Sequence, residues 1–199
     1  MNTIEKAAVC LGLAGAATVY AMGGEVRAVQ PTTGKTYAMT KIGYDLPFDA
    51  SGFTMLTLKD SAYGGLTEVS RSIIGPLSGR ARISHADRPV SGLEAGLVGT
   101  IPTGKLPAFA EAYVLHSVSS GTGTIGTFGT VSKEIAKIRK LPVKARLDAV
   151  AEMSYDGLKP TFFFGQVEPS LEVGPVKAGY DFTKTSAGTS HEVFVALKI

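Results

Sequence analysis

The sequence predicts a mainly β protein, an antiparallel sandwich, jelly roll or barrel of roughly eight to ten strands with an apolar N-terminal helix. Three observations carry this. Only 19% of the 199 residues are charged while 24 are glycine, a balance that suits many short strands joined by tight turns. Apolar and polar residues alternate over short stretches, the period-two pattern of strands. Proline and glycine punctuate those stretches at regular intervals.

Residues 1–24 read as a separate apolar segment and 25–199 as a single β-rich domain. The run from Ala7 to Gly24 carries no charge, and Val19-Tyr20-Ala21 places small residues at the −3 and −1 positions of a signal cleavage site. Lys6 stands beside Glu5, so the start is scarcely positive. A signal peptide cleaved after residue 21, a short membrane anchor and a helix packed into an assembly are the three readings, because Ala and Gly permit close approach of neighbours. In the third, Ala7, Leu11, Ala14 and Ala17 make the assembly contacts. Cys10 is the single cysteine, so no disulfide forms within the chain, and its apolar setting suits an inert buried thiol.

Strands follow near Glu25 to Gln30, Thr36 to Pro47, Gly52 to Lys59, Leu66 to Ile74 and Gly79 to Ala86. Further strands are expected near Leu93 to Ile101, Ala108 to Val118, Thr161 to Val167, Leu171 to Thr183 and His191 to Ile199. The phrase "VQPTTGKTY" contains Gly34-Lys35-Thr36, the close of a phosphate-binding loop, but Val29 stands where that loop needs its first glycine. A strand pattern follows in place of a helix. "IPTGKLP" repeats the Thr-Gly-Lys unit, and both copies read as hairpin turns in which Gly34 and Gly104 supply positive φ. "GTGTIGTFGTV" reads as a mobile or bulged loop.

Residues 133–156 fit two patterns. Ile135, Ile138, Val143, Leu147 and Val150 have helical spacing around Pro142, with Ser132 as a cap, whereas Ala145 to Tyr155 alternate with Lys144 to Asp156 as a strand would. In "PTFFFGQ", Phe162 and Phe164 share one face and Phe163 takes the other, which suits a strand buried on both sides. The last strand is expected to bury Val193, Val195, Leu197 and Ile199.

Chemistry-bearing patterns are sparse. His85, His116 and His191 lack metal-ligand spacing, and His85 with Asp87 in "HADRP" reads as a turn. "GPLSGR" around Ser78 lacks the first glycine of a nucleophile elbow. Glu94, Glu111, Glu152, Glu168 and Glu172 could supply a carboxylate pair, as the acids of any β domain could. The basic run Lys133, Lys137, Arg139, Lys140, Lys144 and Arg146 has no interleaved aromatics for base stacking and reads as a solvated or subunit-contacting face. A formal charge of +3 is too small to hold a polyanion.

These absences favour a non-enzymatic structural subunit without a cofactor, part of a virion shell or surface filament. Its partners would be copies of itself or other structural subunits, joined through the N-terminal segment and open sheet edges, with lipid contact through that segment as a further possibility and nucleic acid unfavoured. The alternatives are an outer-membrane β-barrel with a signal peptide and a secreted β-sandwich binding module. The alternating faces of Ala145 to Tyr155, Val176 to Phe182 and the last strand suit a barrel wall, while the lack of tryptophan leaves few candidates for an aromatic girdle.

Overall fold

A computed structural model describes residues 21–60, 62–86, 92–118, 120–138, 142–156 and 159–199. Twelve strands form one closed antiparallel barrel: β1 (Ala21–Pro31), β2 (Tyr37–Leu46), β3 (Ala50–Lys59), β4 (Ala62–Ile74), β5 (Leu77–Ala86), β6 (Gly92–Ile101), β7 (Ala108–Ser117), β8 (Gly123–Ile138), β9 (Val143–Asp156), β10 (Lys159–Val173), β11 (Val176–Thr185) and β12 (Gly188–Lys198). Each pairs with its sequence neighbour, and β1 pairs with β12, Arg27 opposite Ala196, to close the wall. Successive strands are separated by at most six residues, the longest such stretch running from Pro102 to Pro107. Gly34 and Gly104 hold φ of 106° and 64° in their turns, as the Thr-Gly-Lys units require, and Gly-Pro makes the β4–β5 and β10–β11 turns with Gly75 and Gly174 at φ 52° and 58°.

Along parts of the wall the burial pattern is reversed from that of a soluble domain. In β10, Glu168, Ser170 and Glu172 are buried while Pro169, Leu171 and Val173 are exposed; in β7, Val114 is 55% exposed between buried Tyr113 and Leu115. Because side chains alternate across a strand, each wall position has an inner and an outer side, and the register carries the assignment round the barrel. From β6 to β12 the outer side is an apolar surface that includes Leu97, Val114, Ile125, Leu171, Val193 and Val195, each at least 50% exposed. On β1 and β2 the outward Val26, Ala38 and Ile42 form a buried cluster with Tyr44 and Leu58 packed against it. The ladder between β10 and β11 skips Glu168 and Pro169, since proline has no amide hydrogen to donate.

Several expectations are corrected. The strands number twelve, and the architecture is a closed barrel rather than a sandwich or jelly roll. Among the described residues there is no helix; the expected N-terminal helix lies mostly outside them, and its last part, from Ala21, is strand. The Gly-Thr repeat is strand from Gly123 onward, its small residues accommodating the large side chains of β7. Residues 143–156 are strand, so the alternation prevails over the helical spacing. The stretch Leu171 to Thr183 is two strands separated by the Gly174 turn. The last strand has the expected alternation with the opposite orientation, burying Phe194 and Ala196 and exposing Val193, Val195, Leu197 and Ile199. Phe162 is 41% exposed, so "PTFFFGQ" is not a strand buried on both sides. Closure leaves no sheet edge free to recruit a neighbour by strand addition.

Candidate functional site: a lumen lined with paired charge

The lumen holds two clusters, each built around an aromatic ring on a glycine. Phe194 of β12 faces Gly179 of β11, where a Cβ would stand 2.7 Å from the ring; the missing side chain lets the ring lie flat against the wall. Arg27 sets its guanidinium 4.3 Å above that ring and Lys177 its amine 5.7 Å away. Arg27 reaches from β1 to Glu168 of β10 at 2.5 Å, past two intervening strands, so the contact crosses lumen space; it also bonds Glu25 at 2.5 Å and lies 3.8 Å from Asp181. Lys177 bonds Glu168 and, at 3.0 Å, Asp148. Arg27, Glu168, Asp181 and Lys177 side chains are all less than 8% exposed. Glu172, also buried, accepts from Lys198 at 2.6 Å and lies 3.5 Å from Arg146.

Tyr113 of β7 lies in the same way over Gly126 of β8, its hydroxyl donating to Glu152 of β9 at 2.7 Å and reaching Ser154 at 3.2 Å. Arg82 sits 5.4 Å above this ring and bridges Glu68 at 3.0 Å and Glu152 at 3.4 Å, joining β5 to β9. Arg80 binds Glu111 with both terminal nitrogens, one contact at 2.7 Å, and Glu68 at 3.1 Å. Burying a charge is costly unless it is paired, and these pairs meet that demand.

The five glutamates singled out in the sequence all point inward. Four are ion-paired: Glu111, Glu152, Glu168 and Glu172 each have a cation, while Glu94 lies opposite Arg82 in the register. They are therefore not an isolated catalytic pair. Of the basic run, Lys144 and Arg146 join lumen pairs, with Glu134 at 3.6 Å and with Glu172, while Lys133 is exposed. Lys35 sits in an exposed turn 3.1 Å from Asp60, with no helix after it to hold a phosphate. Among the described residues no three His, Cys, Asp or Glu side chains converge as metal ligands. Ala7, Leu11, Ala14 and Ala17 lie outside the described residues, as does Asp87 of "HADRP".

Arg27, Arg80, Arg82, Lys177, Asp148 and Asp181 carry much of the lumen network, and sequence reasoning overlooked them as a group. Their signal was available: ionisable residues at alternate positions of strands whose intervening positions are apolar, as in Arg80 and Arg82 or Glu168 and Glu172. The sequence offered few girdle aromatics, and the ring-bearing side chains that gather at one end come from separate hairpins. At the barrel end opposite the chain's C-terminus, Tyr63, His85, His116, Tyr155, Phe182 and His191 stand on the outer side, with the Phe182 and His191 rings 5.0 Å apart edge to face. His85 lies 3.0 Å from Thr67 and His191 bonds Tyr180, neither in a metal-binding arrangement.

No protein-family model and no curated protein matches the sequence. Among solved structures the fold is similar to that of the KdgM porin, with a TM-score of 0.54 and 11% identity over 88% of this chain and 98% of that one. KdgM in complex with disordered oligogalacturonate aligns over the same shares at 11% identity, with a TM-score of 0.53. The outer membrane protein Omp33 of Acinetobacter baumannii gives 0.47 at 9% identity, over 90% of this chain and 97% of that one. These neighbours include porins, which are channels rather than enzymes. With the closed barrel, the likeness to the KdgM porin, which is one of fold, overturns the jelly-roll and virion-capsid reading.

Proposed function

We propose that this chain is an outer-membrane β-barrel whose lumen passes small polar solutes. One observation carries the reading: apolar side chains cover the outer wall from β6 to β12 while ion-paired carboxylates, guanidinium groups and amines fill the inner side. Water would leave that outer surface unfavourably exposed, whereas a bilayer covers it and tolerates the backbone because every wall strand is hydrogen-bonded on both sides. The aromatic and histidine collar at one end fits a membrane interface. Porin-like folds of the same span support the channel part of the proposal. Residues 1–21 are then a signal peptide, as Val19-Tyr20-Ala21 suggests.

The test is refolding of the chain from residue 22 into detergent and then into lipid vesicles. A folded barrel that requires detergent or lipid, shifts its gel mobility on boiling and lets small sugars into vesicles is expected. A monomer stable in plain buffer would refute membrane residence; insertion without solute entry would refute the channel.

A further inference from the structure

We propose that the lumen prefers solutes bearing an ammonium or guanidinium group, and that Asp181 is where such a group docks; this rests on the channel reading. The ion pairs of the lumen join nine carboxylates to seven cations. Adding the inward Lys41, Lys137, Glu94 and Glu192, placed by their registers with Glu25, Lys144, Arg82 and Asp181, leaves that excess of negative charge in place. The chain as a whole carries +3, so the interior has the opposite sign to the molecule. Walls of one sign enrich the opposite ion, and carboxylate-lined constrictions select cations.

Asp181 gives this excess a place. It is 4% exposed; Oδ2 accepts from Gln166 at 2.5 Å and lies 3.8 Å from Arg27, while Oδ1 has no hydrogen-bond donor among the described residues. Ser170, 5% exposed on the adjoining strand and opposite Gly179, likewise has an unpartnered hydroxyl. Buried acceptors are nearly always satisfied, so a donor from outside the chain completes these two. Phe194 beside them already receives two cations on its ring, showing that the neighbourhood accommodates positive groups. An acidic saccharide, such as the oligogalacturonate in the KdgM complex, would meet the same excess as repulsion.

The folded full-length barrel in a planar bilayer under a potassium chloride gradient should show a cation-to-anion permeability ratio above roughly three. Asp181→Asn should bring the ratio toward one, and Ser170→Ala should lower it less; Lys35→Ala, at an exposed turn, should leave it unchanged. Calorimetry with arginine amide on the detergent-solubilised barrel reads docking without requiring conduction, and Asp181→Asn should weaken it about tenfold, the loss of one charge-assisted hydrogen bond. Anion preference would overturn the proposal. So would arginine amide binding that is absent, or unaffected by both Asp181→Asn and Ser170→Ala. A barrel that binds arginine amide through Asp181 but never conducts would leave the docking site standing and remove the channel.

Discussion

Around Phe194 and around Tyr113 the lumen uses the same construction, a ring laid on the glycine of the next strand with a guanidinium above it, but the two clusters differ in their access to water. Arg27 and Glu168 are 4% and 6% exposed in the first, Arg82 and Glu152 16% and 21% in the second. Phe194 has no hydroxyl, so the first cluster must match its charges with one another, and Glu168 takes both Arg27 and Lys177. Tyr113 adds a hydroxyl bond to Glu152, and water can share in hydrating the rest. The difference teaches where each lumen charge acts. A dry pair ties β1, across the closing seam of the barrel, to β10; a wetter pair costs less to rearrange.

The largest expected effect breaks the dry side. Arg27→Ala takes the shared guanidinium from Glu25 and Glu168, leaving Glu168 with Lys177 alone, and should cost about 3 kcal/mol, the lower end of the penalty for breaking a buried charge pair. Urea unfolding of the vesicle-inserted barrel measures it. A loss comparable to that from a surface pair would mean that water reaches this cluster too.

Arg82→Ala should cost less, about 1–2 kcal/mol, because water can partly replace the lost donor at Glu68 and Glu152. Salt sharpens the contrast. At about 1 M salt the screening length shortens to roughly 3 Å, so the penalty for Arg82→Ala should shrink while that for Arg27→Ala persists. Equal salt responses of the two variants would erase the proposed distinction.

Tyr113→Phe makes the second ring resemble the first and should cost about 1 kcal/mol, the hydroxyl bonds to Glu152 and Ser154. The ring stays over Gly126, so gel mobility should not change. A loss as large as that for Arg27→Ala would show that the hydroxyl, rather than the guanidinium, holds this side of the lumen together.

Much of the strand plan was legible in the residues. Nine of the ten expected strands lie near observed ones, the other running from Leu171 across the Gly174 turn, and the turns at Gly34 and Gly104 follow from their neighbours. The strands least well read were β8 and β9, where Gly-Thr repeats suggested a loop and a proline-centred apolar spacing competed with alternation. Glycine weakens intrinsic strand preference, and only the large partners across the ladder, such as Tyr113 over Gly126, restore it.

By itself the sequence determined the period: Glu168, Ser170 and Glu172 lie on one side of their strand and Pro169, Leu171 and Val173 on the other, whatever surrounds them. It did not determine which side is the interior. Alternation is symmetrical under exchange of faces, and the ordinary presumption that apolar side chains point inward gave the last strand its reversed orientation. Only closure of twelve strands decided the matter, because it brings Arg27 to Glu168 across 141 positions and lets most buried inward charges find an opposite one. Charge tolerates an interior only when paired there, and such pairing is a property of the assembled wall rather than of any stretch of chain.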